Sequence, residues 1–452
     1  MSGLLDALTD AVGERHVLTE DDVRRSYETD WTGRFSGEAR AVVRPADADE
    51  VAAVLHACAA EGTGVVPQGG NTGLVGGGVP AGGEIVLSLV RLDAIEKPDT
   101  VARQVSVGAG VPLAALQERL RGSGLAFAVD HAARDTATLG GMAATNAGGA
   151  RAVRYGVMRH HVVGLEAVLG DGRRVDRMEG LVKDNAGYDL PGLLVGSEGT
   201  LGVIARLRLS LVRELTSRAT ALFALADTAA ALDLLEGLRR RLDSLEAAEI
   251  LYPDGLDLVA RHSGARSPFE DEHGAYLLVE CAADEDPLDG LAAAAEESTA
   301  ASDVAVAQDA EQRRRLWALR EGHTEAVSAE GTPHKLDVSL PLPRLAEFES
   351  RVRDRVAEAS PGARTILFGH IGDGNLHVNV LGPPPDDDGP DEAVLALVAE
   401  CGGSVSAEHG IGQAKRRWLS LTRSDDEIAA MVAIKRGLDP EGILNPAVLL
   451  PS

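Results

Sequence analysis

Apolar and polar positions near the start of the chain follow a pattern that predicts a βαβ unit. Between residues 47 and 62, apolar side chains recur at positions 51, 54, 55 and 58, the spacing of one face of an amphipathic helix. Asp47 or Asp49 can cap the start of this helix, and Gly62 can end it. Strand-like runs at 41–44 and 64–66 flank the helix, and the second leads directly into a glycine-rich loop.

Two regions of different pattern then predict two domains. In the first, a helical pattern at 111–121 accompanies strand-like apolar runs, which lie at 85–90, 105–109, 162–169 and 201–212. In the second, helical patterns at 227–247, 287–301 and 343–359 alternate with strand-like runs at 276–281, 335–340, 364–369 and 376–381. We therefore predict an α+β domain over residues 1–213, a smaller inserted α+β domain over 214–405, and a C-terminal segment over 406–452.

The length and charge of the chain narrow the classes of function. A chain of 452 residues, 44% of them apolar, is too long for one hydrophobic core and long enough for two domains. Its formal net charge of −26 disfavours nucleic acid or an anionic membrane surface as the main partner, because both attract clustered positive charge. An acidic substrate would therefore need a local basic pocket.

The spacing of the cysteines and the hydropathy of the chain indicate a reducing, cytoplasmic compartment. Cys58, Cys281 and Cys401 are far apart, which excludes an iron–sulfur motif or a disulfide framework and fits a reducing environment. The N-terminus lacks the basic and apolar regions of a signal peptide, and no apolar run approaches the roughly 20 residues that span a bilayer. The sequence thus predicts a soluble, cytoplasmic protein.

Three glycine-rich loops predict a nucleotide-binding site. A pyrophosphate must be held by backbone N–H groups, and glycine lets the main chain approach closely and adopt positive φ. The loops are PQGGNTGLVGGG at 67–78, LGGMAATNAGG at 139–149 and GSEGTLG at 196–202. Neither the Rossmann G-x-G-x-x-G motif nor the P-loop motif occurs in the sequence. One such loop is as readily a surface turn, but three in one domain favour a large dinucleotide.

A histidine-bearing hairpin offers ligands for a divalent metal. His370 and His377 flank GDGN at 372–375, a strong hairpin signal, and His377 shares a strand face with Asn379. With Glu408 as the third ligand, two imidazoles and a carboxylate would leave a coordination position open for substrate. Zinc is the first choice, with manganese and iron(II) as alternatives. Taken singly, each histidine is more commonly a satisfied, partly buried residue.

Several segments of the chain resemble a flavoprotein family. A resemblance to the FAD-binding domain of the vanillyl-alcohol oxidase/p-cresol methylhydroxylase (PCMH) superfamily lies in PQGGNTGLVGG, GGMAATNAGGARAVRYG, KDNAGYDL and GSEGTLGVI. A resemblance to its D-2-hydroxyacid dehydrogenase branch, which includes D-2-hydroxyglutarate, D-lactate and glycolate dehydrogenases, lies in GHIGDGNLHVNV, SAEHGIG and LDPEGILNP. The first loop, with DWTG at 30–33 and HKLDVSLP at 334–341, is most similar to the D-2-hydroxyglutarate dehydrogenases.

This resemblance implies an α+β fold in which an FAD-binding PCMH-type domain carries an inserted α+β (ferredoxin-like) substrate or cap domain and a C-terminal helical segment. FAD would be held non-covalently, since no histidine occupies the first glycine loop. The implied FAD-binding residues are Gln68, Gly69, Gly70, Asn71, Thr72, Gly73, Leu74, Gly140, Gly141, Asn146, Gly148, Glu198, Gly199, Gly202, Ile204 and Asn445.

The resemblance also implies an active site. The implied metal ligands are His370, His377 and Glu408, and the implied substrate-binding residues are Arg320, Thr324, Lys335, Asn379 and His409. Arginine can clasp a carboxylate through two parallel hydrogen bonds, and lysine adds a point charge. Oxidation of a 2-hydroxyacid removes the hydroxyl proton and delivers the Cα hydride to the flavin. A metal on the hydroxyl oxygen would lower its pKa, and His409 would then act as the base, its alternative role being to orient the metal site.

The sequence leaves several alternatives open. D-2-Hydroxyglutarate is the preferred substrate, with D-lactate or glycolate as the alternatives. The electron acceptor leaves no signature that separates an electron-transfer flavoprotein from a cytochrome or a quinone. A zinc hydrolase could use the same His/His/Glu set without FAD, and a non-catalytic FAD- or metal-binding subunit would oxidise no hydroxyacid. Both a monomer and a homodimer fit the sequence.

Overall fold

The computed structural model describes residues 2–451, which form two compact units. The first unit contains residues up to 149, residues 156–214 and residues from 408 onward, and the second contains 150–155 and 215–407. The sequence pattern predicts boundaries at 213/214 and 405/406, whereas the chain passes between the units at 214/215 and 407/408. The sequence pattern does not predict that residues 150–155 belong to the second unit.

The strands and helices are numbered in chain order. The strands are β1 (Val17–Leu18), β2 (Ala41–Val43), β3 (Val65–Gln68), β4 (Ile85–Ser88), β5 (Gln104–Gly108), β6 (Leu125–Ala126), β7 (Val162–Val168), β8 (Arg174–Arg177), β9 (Val203–Ser210), β10 (Val212–Arg213), β11 (Ser217–Leu225), β12 (Leu245–Leu251), β13 (Ala275–Ala283), β14 (Ala301–Val306), β15 (His334–Ser339), β16 (Arg364–His370) and β17 (Asn375–Leu381). The helices are α1 (Ser2–Val12), α2 (Asp21–Arg24), α3 (Ala48–Ala60), α4 (Leu113–Leu120), α5 (Leu139–Thr145), α6 (Ala152–Tyr155), α7 (Leu190–Leu194), α8 (Thr228–Arg241), α9 (Pro253–Ser263), α10 (Leu288–Glu296), α11 (Ala310–Glu321), α12 (His323–Ala329), α13 (Leu345–Ala359), α14 (Gly389–Glu400) and α15 (Asp425–Leu438). Among residues 2–451, no helix is long and apolar enough to cross a membrane.

The predicted βαβ unit is confirmed in the first unit. Strands β2, β4 and β3 are parallel in a four-stranded sheet of order β1-β2-β4-β3, and β1 is antiparallel at its edge. Helix α3 connects β2 to β3, and the side chain of Asp47 caps it by accepting a hydrogen bond from the N–H of Glu50 at 2.9 Å. The apolar stripe of α3, at positions 51, 54, 55 and 58, is fully buried.

A second sheet and the C-terminal segment complete the first unit. Strands β5, β9, β7 and β8 form an antiparallel sheet in that order, and their apolar side chains share one core with those of β2, β3, β4 and α3. The C-terminal segment runs beside β3, because the N–H of Val65 donates to the carbonyl of Ile443 at 2.7 Å and the N–H of Asn445 donates to Val65 at 2.8 Å. Asn445 is thereby held against the strand that leads into the first glycine loop.

The second unit is built on one seven-stranded antiparallel sheet of order β14-β11-β13-β12-β16-β17-β15. Strands β16 and β17 form the predicted hairpin, whose last paired residues before the turn are His370 and Asn375. On the other side of β17, Asp337 of β15 pairs with His377, and Lys335 pairs with Asn379. Because directly paired residues point to the same face of a sheet, all of these polar side chains lie on one face.

Two predicted helices of the second unit are confirmed, but both end earlier than the sequence pattern predicts. The helical pattern at 227–247 ends as helix α8 at Arg241, and residues 245–251 form β12, near the middle of the sheet. The pattern at 287–301 ends as α10 at Glu296 and is followed by the strand β14. The segment of β12 is rich in alanine, leucine and glutamate, which favour helices, but pairing with β13 outweighs this weak local preference.

Candidate active site

The first glycine loop follows β3 and lines a cavity in the first unit. The cavity has a volume of about 480 Å³, and its walls are formed by Ser26, Tyr27, Gln68, Gly69, Gly70, Asn71, Val90, Asp93, Gly110, Pro112, Thr136 and Thr138. Residues 68–71 of the predicted FAD site are therefore among its walls. Ser26 and Tyr27 come from the segment after α2, and the remaining walls come from segments that follow β4 and β5 or precede α5.

Glycine is required where this loop packs against the start of α5. A β-carbon on Gly69 would overlap Oγ1 of Thr138, and one on Gly70 would overlap the carbonyl oxygen of Thr136. Thr138 in turn caps α5 by accepting a hydrogen bond from the N–H of Gly141 at 3.2 Å. The first and second glycine loops thus hold each other in place, and their backbones can approach a ligand closely.

Substitution of Gly70 by alanine should weaken FAD binding, because the loop must shift to accommodate the methyl group. Overpacking costs about 1–3 kcal/mol, and such a cost to the FAD-binding conformation corresponds to about 5- to 150-fold in affinity. Titration of FAD into the flavin-free protein measures this effect. The control is Gly437→Ala in α15, where a β-carbon meets open space. Equal FAD affinities for wild type and Gly70→Ala would contradict a binding role for this loop.

Asn445 places a buried acceptor without a partner in the same unit. Its Nδ2 donates to the carbonyl oxygens of Gly77 at 2.9 Å and Glu198 at 2.8 Å. Its Oδ1 has no hydrogen-bond partner, although the residue is only 2% exposed. A buried acceptor of this kind is stabilised when a ligand supplies a donor. The N–H of a flavin ring meets this requirement, so the residues fit the predicted FAD.

Glu198 ties the third glycine loop to the C-terminal segment. Its carboxylate accepts hydrogen bonds from the N–H groups of Ile411 at 2.8 Å and Gly412 at 2.7 Å. Burial raises the pKa of Glu198, and these two N–H groups oppose that shift. Gln413 adds two contacts, because its Nε2 donates to the carbonyls of Gly76 at 2.9 Å and Val79 at 2.8 Å. The backbone directly after His409 is therefore fixed to the glycine loops of the first unit.

The other predicted FAD-binding residues occupy two kinds of position, and their FAD contacts stay predictions. Those in or beside the first two loops are Thr72, Gly73, Leu74, Gly140, Gly141, Asn146 and Gly148. Those with a packing contact of their own are Gly199 against Pro67, Gly202 against Leu194, and Ile204 within the core of β9.

Two histidines of the second unit are each held by a buried carboxylate. Nδ1 of His370 lies 2.5 Å from Glu249 Oε1, and Nδ1 of His377 lies 3.2 Å from Asp337 Oδ1. Both carboxylate residues have 0% exposure, and the two rings lie edge to face with centroids 5.2 Å apart. Potential ligand atoms of the two histidines lie within 4.8 Å of each other. A carboxylate on Nδ1 presents Nε2 as the ligand nitrogen, so this pair fits a divalent metal.

Burial and neighbouring charges shift the pKa values of two groups beside the predicted metal site. Burial alone would raise the pKa of Glu249, but His370 and Arg320 outweigh burial and hold that pKa below its ordinary value. Burial lowers the pKa of His377, although Asp337 opposes the shift. A lowered pKa favours the ionised form of Glu249, which can hold an imidazole through Nδ1, and the neutral form of His377, which can bind a metal.

Arg320 extends this network toward the predicted substrate site. It lies on α11, and its Nε donates to Glu249 Oε2 at 2.5 Å. Its guanidinium carbon lies 4.7 Å from the ring centroid of Phe368, which faces the same side of the sheet as His377. Since Nε is used by Glu249, the terminal nitrogens are the ones that could clasp a substrate carboxylate.

The remaining predicted substrate-binding residues have different surroundings. Lys335 is half-buried on the polar face, and burial lowers its pKa. Asn379 is 5% exposed, and its Nδ2 has no hydrogen-bond partner, as expected for a donor that awaits a ligand. Thr324 is an exposed residue in the first turn of α12.

Glu408 and His409 belong to the first unit. The carboxylate of Glu408 packs closely against Gly148 of the second glycine loop, because a β-carbon on Gly148 would lie 2.7 Å from Glu408 Oε1. Within the second unit, Ser404 is bonded to the outer edge of β15, and the N–H of Ala407 donates to the carbonyl of Asp337 at 3.3 Å. Glu408 therefore follows directly after a residue bonded to the partner of His377. Its role as third ligand stays a prediction.

Two residues of the site were not predicted from the sequence. Asp337 lies within HKLDVSLP, and its position two residues after Lys335 on a strand would have placed it on the same face. Glu249 lies in β12, a segment that the sequence pattern predicted in part as helix, so no sequence signal pointed to its place beside the hairpin.

Comparison with known families agrees with the geometry. Residues 39–177 match the FAD binding domain family, and residues 215–449 match the family of FAD linked oxidases, C-terminal domain. The chain belongs to the FAD-linked oxidase family and is an FAD-dependent oxidoreductase.

The more particular similarity is to D-2-hydroxyglutarate dehydrogenases. The chain is 40% identical over 455 residues to that enzyme of Xanthomonas citri pv. viticola, across 98% of this chain and 96% of the relative. It is 35% identical to the mitochondrial D-2-hydroxyglutarate dehydrogenase of Arabidopsis thaliana, across 97% of this chain and 80% of the relative. The crystal structure of p-cresol methylhydroxylase with substrate bound has a TM-score of 0.78 at 15% identity, over 99% of this chain and 96% of that one. This likeness confirms the predicted PCMH-type fold.

Proposed function

We propose that the protein oxidises a D-2-hydroxyacid, preferably D-2-hydroxyglutarate, to the 2-oxoacid and passes the electrons from FAD to a separate acceptor. The observation that carries this proposal is the polar sheet face, where two carboxylate-held imidazoles accompany Asn379 and Arg320. The similar proteins named D-2-hydroxyglutarate dehydrogenase support the choice of substrate. D-2-Hydroxyglutarate has two carboxylates, which match the two cations Arg320 and Lys335, whereas D-lactate has one.

In this proposal a divalent ion, with zinc as the first choice, is bound by His370, His377 and Glu408. The carboxylates of Glu249 and Asp337 support the assignment, since each orients one imidazole through Nδ1. Two imidazoles and one carboxylate suit zinc, manganese or iron(II), and they leave room for a substrate oxygen.

Each proposed site residue has a separate role in the reaction. A bound divalent ion makes the substrate hydroxyl more acidic, and a bound FAD accepts the hydride from Cα. Arg320 and Lys335 hold the carboxylates and so fix the direction in which the Cα–H bond points. The Nδ2 of Asn379 donates a hydrogen bond to a substrate oxygen. The imidazole of His409 takes the hydroxyl proton.

The visible spectrum of the purified protein tests this function. We expect flavin absorption bands that bleach anaerobically with D-2-hydroxyglutarate and not with L-lactate. Denaturation of the protein should release free FAD. Bleaching by D-lactate or glycolate alone would change the substrate and keep the reaction. Flavin that no hydroxyacid bleaches would indicate a non-catalytic subunit. A colourless protein that takes up no FAD would contradict the proposal and favour a metal hydrolase.

A further inference from the structure

We infer that Glu249 is a positioning residue that couples the metal site to the substrate-carboxylate site, an inference that rests on the proposed function. Its two carboxylate oxygens have different partners. Oε1 lies 2.5 Å from Nδ1 of His370, and Oε2 accepts from Nε of Arg320 at 2.5 Å. One fully buried side chain therefore touches both a proposed metal ligand and the proposed carboxylate clasp.

The sheet explains why Glu249 can reach both partners. Strand β12 is adjacent to β16, and Ile250 pairs with Gly369, so Glu249 is the neighbour of His370 on the same face. Helix α11 brings Arg320 over that face, where its guanidinium lies against the ring of Phe368. The backbone holds the carboxylate, and the carboxylate fixes the imidazole and the guanidinium relative to each other.

Asp337 is the natural comparison, because it holds the other histidine in a different way. One of its oxygens lies 3.2 Å from Nδ1 of His377 and also accepts from Nδ2 of Asn375 at 2.7 Å. These contacts connect Asp337 to the proposed metal site and to a neutral amide. The two carboxylates therefore predict different outcomes when each is changed to its amide.

The test compares Glu249→Gln with Asp337→Asn in the FAD-loaded protein. A glutamine keeps the shape of the side chain but offers one acceptor and one donor group, so it cannot accept from both His370 and Arg320. We expect both variants to bind Zn²⁺ about 10- to 100-fold more weakly. At saturating Zn²⁺, Glu249→Gln should also raise the KM for D-2-hydroxyglutarate about tenfold or more, the loss of one charge-assisted contact. Asp337→Asn should raise that KM by a smaller factor, because the side chain of Asp337 contacts His377 and Asn375.

Direct Zn²⁺ titration against a competing chelator gives the metal affinity without recourse to activity, and FAD content with thermal unfolding reports the integrity of each variant. Glu236→Gln, a change of an exposed carboxylate on α8 that pairs with Arg240, is the matched control. The double variant Glu249→Gln/Arg320→Ala should have the KM of Arg320→Ala alone, because residues acting through one contact are not additive.

Each outcome has a defined consequence. An unchanged KM for Glu249→Gln at saturating Zn²⁺, or an unchanged Zn²⁺ affinity, would overturn the coupling and leave the proposed function intact. A wild-type protein that binds no Zn²⁺ would instead contradict the metal site of the proposed function. Should Glu249→Gln fail to fold, Glu249→Asp keeps the charge but is one methylene too short to reach both partners. Wild-type values of both quantities in that variant would overturn the inference equally.

Discussion

Removal of the divalent ion should abolish oxidation of the D-2-hydroxyacid while leaving FAD bound. His370, His377 and Glu408 would hold an ion whose chemistry would be to make the substrate hydroxyl more acidic, a contribution of several kcal/mol, which is about 10³-fold or more in rate. The proposed FAD-binding residues, such as Gly70 and Asn445, lie in the first unit and are not proposed ligands of the ion. Flavin absorbance should therefore persist after treatment with a chelator, and bleaching by substrate should stop.

Two further measurements make this prediction specific. Zn²⁺ or Mn²⁺ returned to the chelated protein should restore bleaching, and metal analysis should find about one ion per chain before treatment, as the single proposed site requires. His370→Ala should reproduce the chelated protein, whereas His262→Ala, at an exposed position on α9, should behave as wild type. Full activity of a protein shown to contain no metal would remove the ion from the mechanism.

Local sequence patterns were sufficient for the parts of the fold in which neighbouring residues interact. The hairpin was predictable because GDGN lies between two strand-like runs, so both histidines are brought together by a turn of four residues, 371–374. Helix α3 was predictable because its apolar stripe and its Asp47 cap lie within one short segment. In both cases the interactions that stabilise the element lie between residues close together in the sequence.

The partners of the histidines were harder to predict because they are distant in the chain. Glu249 and His370 are 121 residues apart, and they meet only because β12 pairs with β16. The segment that contains Glu249 has a composition that favours helix, so its strand assignment depends on tertiary pairing. The assignment of residues 150–155 to the second unit also depends on distant contacts. Arg154 donates to the carbonyl of Ala282 at 2.8 Å, across 128 residues of sequence.

Replacement of His409 by alanine should slow flavin reduction by about 10²–10⁴-fold, the usual contribution of a positioned general base. The structure supports this role through the segment that carries the histidine. Glu198 accepts from the N–H groups of Ile411 and Gly412, so the backbone after His409 is fixed to the FAD-binding unit. A base held in this way would keep one orientation while the substrate is bound.

Stopped-flow measurement of flavin bleaching under anaerobic conditions separates this step from transfer to the acceptor. His409→Ala should retain FAD and Zn²⁺, and its reduction rate should lose the pH dependence that a titrating base gives to the wild-type protein. His56→Ala, at an exposed position on α3, is the matched control. A loss below about tenfold, with the pH profile unchanged, would assign His409 to orientation of the metal site, since such residues act on metal affinity. Weaker Zn²⁺ binding in the same variant would then be the expected signature, which distinguishes the two roles in one protein.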